Sequence, residues 1–214
     1  YEQIKQNHIA DYNAIYSKQS LDLKSDIDLP TDKLLKEAKL GRVHNGLVEL
    51  IYNYGKYLLI SSSRKGSSGC NLQGIWNKDL KAAWSSNYTT NINTEMNYWG
   101  MSQCNLSECA EPFVRMVDEI MQHGKTTAHT NYNCDGFACN HNVDIWRKTA
   151  PVKGESEYMF APLCGVWLAN ELYEHLRYGD MEKYRDKVQT ITTEAAKFAC
   201  DYLILRKGEY ITCP

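Results

Sequence analysis

The sequence predicts an all-α fold in a single domain of 214 residues. Three observations predict it. Apolar residues recur three or four apart through most of the chain, the spacing of helices that bury one face. Alternating apolar and polar runs, which mark strands, are scarce. Two stretches, 63–90 and 125–156, break the helical pattern with Gly, Ser, Asn and His, yet no shift in composition divides the chain.

The elements follow in order. Ile4, Ile9, Tyr12, Ile15 and Tyr16 predict a first helix, and Leu21-Asp22-Leu23 leads into a polar turn. Thr31, after Pro30, reads as the N-cap of a helix over 32–40, with Gly41 as its stop. Leu47, Leu50, Ile51, Tyr54, Leu58 and Leu59 predict a strong helix over about 44–62. The first loop then carries Trp76, Trp84 and Tyr88. A long loop that holds large aromatic side chains is more often functional than a spacer. Helices resume over about 94–103 and 108–122, with Gly124 read as a stop. After the second loop they return over about 158–177, ending at Gly179, and over about 180–205. The two loops are expected to meet at one end of the helices.

Composition excludes several classes. The charges nearly balance, with 24 Lys and Arg against 26 Asp and Glu, so no basic footprint for nucleic acid is present. No apolar run approaches the ~18 residues that cross a bilayer, so no membrane partner is expected. No basic-then-apolar leader opens the chain, so no signal peptide is expected within it, and Tyr1 in place of Met predicts a processed or cut N-terminus. The compartment stays open between cytoplasmic and secreted. There are 15 Tyr and 5 Trp against 4 Phe, a bias toward aromatics with a polar edge. The eight cysteines, Cys70, Cys104, Cys109, Cys134, Cys139, Cys164, Cys200 and Cys213, are expected to be mainly buried thiols. Their spacing suits neither a small disulfide scaffold nor a zinc knuckle.

Chemistry concentrates in the two loops. Asn91 and Asn93 lie two apart, and in extended backbone such residues point the same way. Two amides converging on one target grip hydroxyls, or hold a water while a carboxylate elsewhere takes its proton. The plain alternative is that Asn91, Asn93 and Thr94 are turn and cap residues. In the second loop, His141 and Asp144 read either as an acid/base pair or as a satisfied core histidine beside a turn aspartate. Further metal ligands are not apparent, so no metal or other cofactor is expected. Asn140, His141, Asn142, Asp144 and Trp146 together suit a surface that binds hydroxyls. Asn87 and Asn105 open glycan-acceptor triplets, which arise often by chance. No phosphate-binding glycine loop, Gly-x-Ser-x-Gly elbow or His-Glu-x-x-His is present.

Several longer motifs occur together and in order. They are 54–64 (YGKYLLISSSR), 71–77 (NLQGIWN), 88–99 (YTTNINTEMNYW), 141–146 (HNVDIW) and 165–168 (GVWL). In this the chain resembles glycoside hydrolase family 95, from about residue 8 onward. The resemblance implies part of an (α/α)6 barrel, an incomplete helical toroid with the sugar site at one end. It implies an α-L-fucosidase acting mainly on α-1,2 linkages, or an α-L-galactosidase, with inversion at the anomeric carbon. It implies that Asn91 and Asn93 position the attacking water, that His141 and Asn142 contact the sugar, and that Trp76, Asn77 and Trp99 shape the pocket. The implied partner is a fucosylated oligosaccharide.

Departures from the family pattern accompany the match. The family's general acid lies in a Ser-Pro-Glu-Asn stretch just past a Thr-x-Pro that corresponds to Thr212-Cys213-Pro214, and its base lies farther on. The family's preceding β-sandwich is absent. The expectation is therefore a fragment of about half a barrel, whose apolar faces meet the missing half or another copy. Ala82-Ala83 stands in place of two prolines, Asn140 in place of the first of two histidines, and Asn133 in place of a common glycine, while the turn before Asp180 is shorter. The alternative to an enzyme is a carbohydrate-binding or scaffold module without chemistry.

Overall fold

A computed structural model describes residues 1–25 and 28–212; Cys213 and Pro214 lie outside the described residues. The chain is mainly helical. Its helices are α1 (Glu2–Tyr16), α2 (Thr31–Lys39), α3 (Asn45–Ser62), α4 (Asn93–Gln103), α5 (Ala110–Thr127), α6 (Ser156–Met159), α7 (Cys164–Tyr178) and α8 (Arg185–Tyr202). Two small antiparallel sheets join them. One pairs β1 (Tyr88–Thr89) with β2 (Asn142–Val143), and the other pairs β3 (Leu203–Arg206) with β4 (Glu209–Thr212). α3 packs on α1 and α4, α4 packs on α7, and α5 and α8 both pack on α7. No described helix is long and apolar enough to cross a membrane.

α5 is the centre of the core because its sequence repeats an apolar residue on nearly every inward position. Phe113, Val114, Met116, Val117, Ile120 and Met121 are all buried along it. Tyr98 of α4 stacks on Phe113 at 4.2 Å between ring centroids. The Tyr98 hydroxyl meets Ser63 Oγ at 2.9 Å and accepts the Cys70 N–H at 3.1 Å, so this buried ring keeps its polar edge satisfied. α1 is held differently. Lys56 of α3 is buried, and its ammonium donates to the Tyr16 carbonyl at 2.7 Å and to the Gln19 carbonyl. A cation there also favours the negative end of α1.

Several predicted boundaries move, each for a local reason. Thr31 is inside α2 and Pro30 occupies the cap position, so the expected side-chain cap does not form. Gly41 does stop that helix. At φ +83° it lets its own N–H reach Ala38 and the Arg42 N–H reach Glu37, closing the last turn. Gly124 stops nothing. It lies within α5, where a Cβ would sit 2.7 Å from the Ala138 carbonyl oxygen and 3.0 Å from the Phe137 ring. The predicted helix over 158–177 splits into α6 and α7 because Pro162 disfavours helical backbone before it. The helix predicted over 180–205 spans only Arg185–Tyr202, and Leu203–Arg206 turns into a strand. Lys207 and Gly208, both at positive φ, form the two-residue hairpin turn that makes this possible. Asn133, at φ +51°, occupies the left-handed backbone that explains a glycine preference there.

The seven described cysteines are free thiols, all buried except Cys200. Burial pushes the Cys109 and Cys164 thiols up to about 12. On α3, Val48, Ile51 and Tyr54 remain exposed, an apolar stripe on the face turned from the core.

Candidate active site

The two long loops are clipped together by the short β1–β2 pair. Tyr88 faces Val143 and Thr89 faces Asn142 in register. The Thr90 N–H donates to the His141 carbonyl at 2.9 Å, and Thr90 Oγ1 donates to the Asn140 carbonyl at 2.8 Å. This brings residues fifty positions apart to one place, as the loop reading anticipated.

Asn140 anchors the second loop from below. It is buried, its Oδ1 accepts from Tyr132 Oη at 2.8 Å and the Ala161 N–H at 3.0 Å, and its Nδ2 donates to the Thr149 carbonyl at 3.0 Å. Arg147 anchors it from the side. Its guanidinium donates to Glu119 at 2.8 Å and lies over the Tyr88 ring at 4.8 Å. The backbone beneath the site is thus fixed by side chains that do not enter it.

Above this frame lies a cavity of about 590 Å³, bounded by Thr89, Asn91, Ile92, Asn93, His141 and Asn142, with Leu72, Trp84, Lys153, Glu155, Tyr158 and Met159 completing its rim. Asn91, Asn93, His141 and Asn142 therefore share one cavity. Asn93 is the first residue of α4, and Ile92 takes its cap position, so the pair sits in a turn entering a helix rather than in extended backbone. Both asparagines still reach the cavity. Thr89 Oγ1 donates to Asn142 Oδ1 at 3.4 Å, which orients that amide. His141 Nδ1 is buried and has no hydrogen-bond partner among the described residues.

The His141–Asp144 pair does not form. Asp144 Oδ1 accepts from the Trp146 and Lys148 N–H groups at 2.9 and 3.0 Å, the role of a turn aspartate. No described cluster of three metal-ligating side chains exists.

The other three candidate residues lie elsewhere. Trp76 sits beside Tyr57, 6.0 Å between centroids, on a separate cleft between α3 and α4. Asn77 closes its own turn, donating to the Asp79 carbonyl at 2.8 Å. Trp99 donates through Nε1 to Glu171 at 3.1 Å, on a third cleft between α4 and α7. Sequence reading passed over Lys153, Glu155, Tyr158 and Met159, which reach the cavity. The signals were Pro151, Gly154 and Pro162, which break any helix across this segment.

One carboxyl group beneath the site is unusual. Glu95, two residues after Asn93, is fully buried with both oxygens unpartnered among the described residues. Burial, opposed in part by its own backbone N–H and aided by the charge of Glu171, pushes it up to about 8, so it is mainly protonated at neutral pH.

A family model, the glycosyl hydrolase family 95 catalytic domain, matches residues 1–214. The chain belongs to glycosyl hydrolase family 95. Among the curated relatives it matches, alpha-L-fucosidase 2 of Arabidopsis thaliana is 34% identical over 221 residues, covering 99% of this chain and 26% of the relative. A probable alpha-fucosidase A of Aspergillus niger is 33% identical over 217 residues, covering 98% of this chain and 27% of the relative. Its counterpart in Aspergillus oryzae is 33% identical over 193 residues, covering 82% and 26%. The chain thus spans about a quarter of the length of the curated relatives it matches.

Proposed function

We propose that this chain carries the water-positioning and sugar-binding wall of an α-L-fucosidase site that hydrolyses terminal fucosyl linkages, mainly α-1,2, with inversion. One observation carries the reading. Asn91, Asn93, His141 and Asn142, from two loops distant in sequence, line a single cavity. The names of the relatives support the substrate class.

The chemistry divides by group. An amide presents a carbonyl that accepts from a water and an N–H that donates to it. Asn91 and Asn93 hold the attacking water by these groups, and His141 and Asn142 grip ring hydroxyls. Inversion needs two carboxyl groups, one to protonate the leaving oxygen and one to take the proton from water, with space between them for that water. Among the described residues Glu155 alone supplies a carboxylate to the cavity rim. In this reading the acid and base come from outside residues 1–214. No cofactor enters the chemistry. The exposed stripe of Val48, Ile51 and Tyr54 supports packing against the remainder of a catalytic domain, or against a second copy.

The single carboxylate also favours a second reading, a wall that binds fucosylated or L-galactosylated glycans without cleaving them. Proton NMR of an α-1,2-fucosylated lactose mixed with the full-length protein separates the two. The first reading predicts β-L-fucose as the earliest product. Retention of the α-anomer, or no release at all, overturns it.

A further inference from the structure

The loop that carries Trp84 holds three consecutive non-glycine residues in left-handed backbone. Trp84, Ser85 and Ser86 have φ of 52°, 58° and 50°. L-residues avoid this region because Cβ crowds the following carbonyl, and a run of three is rarer than a single turn residue. Strain of this kind persists only where the surroundings over-determine it, and it gathers at sites that use the resulting geometry.

Both conditions are met here. The Gln73 amide donates to the Ala83 carbonyl at 3.2 Å, and the Leu72 N–H donates to the Asn87 carbonyl at 3.1 Å, so the loop is pinned at each end. Within it, the Ser85 N–H reaches Ala82 at 3.0 Å and the Asn87 N–H reaches Trp84 at 3.2 Å. The product of this arrangement is an indole that reaches the rim of the cavity yet stays 78% exposed. A tryptophan buried in a core would explain itself; an exposed one on a pinned, strained loop does not.

We infer that Trp84 is the stacking platform of this site, packing its indole against the apolar face of a sugar ring. The inference rests on the reading that the cavity takes a glycan. A pyranose has hydroxyls at its edge and C–H groups on its faces. Asn91, Asn93, His141 and Asn142 match the edge, and Trp84 matches a face. The stacked ring is either the terminal fucosyl unit or the sugar next to it; both offer the same C–H surface.

The test compares wild type, Trp84→Ala and Trp84→Phe in the full-length protein. Binding of free L-fucose is measured by calorimetry. An α-1,2-fucosylated lactose is read as KM where it is turned over and as Kd where it is not. Trp84→Ala weakens binding about tenfold or more, the scale for removing one large buried aromatic contact. Trp84→Phe keeps binding within about threefold, because a ring face remains. The melting temperature is unchanged, because the indole makes little contact at rest. Weakening toward both ligands assigns the stacked ring to the terminal sugar; weakening toward the oligosaccharide alone assigns it to the next one. Wild-type affinity of Trp84→Ala for both ligands overturns the stacking role. A wild type that binds but does not cleave removes the hydrolase reading and leaves the stacking role standing. A wild type that binds neither removes both.

Discussion

Thr90 and Asn140 meet through one buried hydrogen bond, Thr90 Oγ1 to the Asn140 carbonyl at 2.8 Å. It joins the loop bearing Asn91 and Asn93 to the loop bearing His141 and Asn142. Replacing Thr90 with Val keeps the shape and removes the donor. The cost is about 1–3 kcal/mol, since a buried carbonyl loses a partner. Urea unfolding checks this, and glycan turnover should fall with it because the two loops lose their tie. Unchanged stability in Thr90→Val would show that the strand pair and the Thr90 N–H to His141 carbonyl bond hold the loops without it.

Glu95 gives a pH signature. A carboxyl held up near 8 in the folded state, against 4.5 ordinarily, keeps its proton in the fold where the unfolded chain has lost it. The folded state then binds more protons between those values, so this group makes stability fall as pH rises from about 4.5 to 8. Glu95→Gln removes that slope. The variant should match wild type near pH 4 and exceed it near pH 8, by about 5 kcal/mol at most. Parallel pH–stability curves for the two proteins would contradict a protonated Glu95.

His175 acts in the opposite sense. Burial pushes it down to about 4 from 6.5, while its Nδ1 lies 2.7 Å from Ser102 Oγ. The unfolded chain takes up a proton across that interval and the folded chain does not, so stability rises with pH from about 4 to 6.5. His175→Gln should flatten this limb and, above pH 7, leave only a pH-independent offset from the lost ring packing against Phe113. Unfolding measured at pH 5 and pH 7.5 in both proteins decides it.

Gly124→Ala sets two effects against each other. Alanine gains about 1 kcal/mol of helix propensity in an interior position. Its Cβ, however, would lie 2.7 Å from the Ala138 carbonyl oxygen, a backbone atom that cannot swing away, and 3.0 Å from Phe137. Overpacking of this kind costs about 1–3 kcal/mol. The net expectation is a lower melting temperature; a rise would mean the Phe137 segment yields freely.

These positions also show what the sequence made legible. α3 and α5 were readable because their apolar spacing is regular and long. The meeting of the two loops was readable from composition, since both carry polar and aromatic residues that a spacer does not need. The β3–β4 hairpin was not. Leu203-Ile204-Leu205 is a short apolar run whose period fits helix and strand alike, and only Lys207-Gly208 marked the turn. Gly124 looked like a stop because close approach of Phe137 is a tertiary fact. Within the site, spacing left Asn91 and Asn93 open between converging amides and turn residues, and the resemblance chose between them; the backbone there is not extended. Trp76, Asn77 and Trp99 share motifs with cavity neighbours but not the cavity, because adjacency in sequence does not fix the direction of a side chain. Tyr158 went unread because α6 is one turn on a segment without period.

The central claim is that Asn91 and Asn93 hold the attacking water. The direct measurement is steady-state fucose release from an α-1,2-fucosylated lactose by the full-length protein, beside Asn91→Ala and Asn93→Ala. The account predicts that kcat falls by about 10²-fold or more in each variant, the scale for losing a positioned catalytic group, while substrate binding is kept far better than turnover. Near-wild-type kcat in both variants would contradict it and return the two asparagines to the turn they occupy.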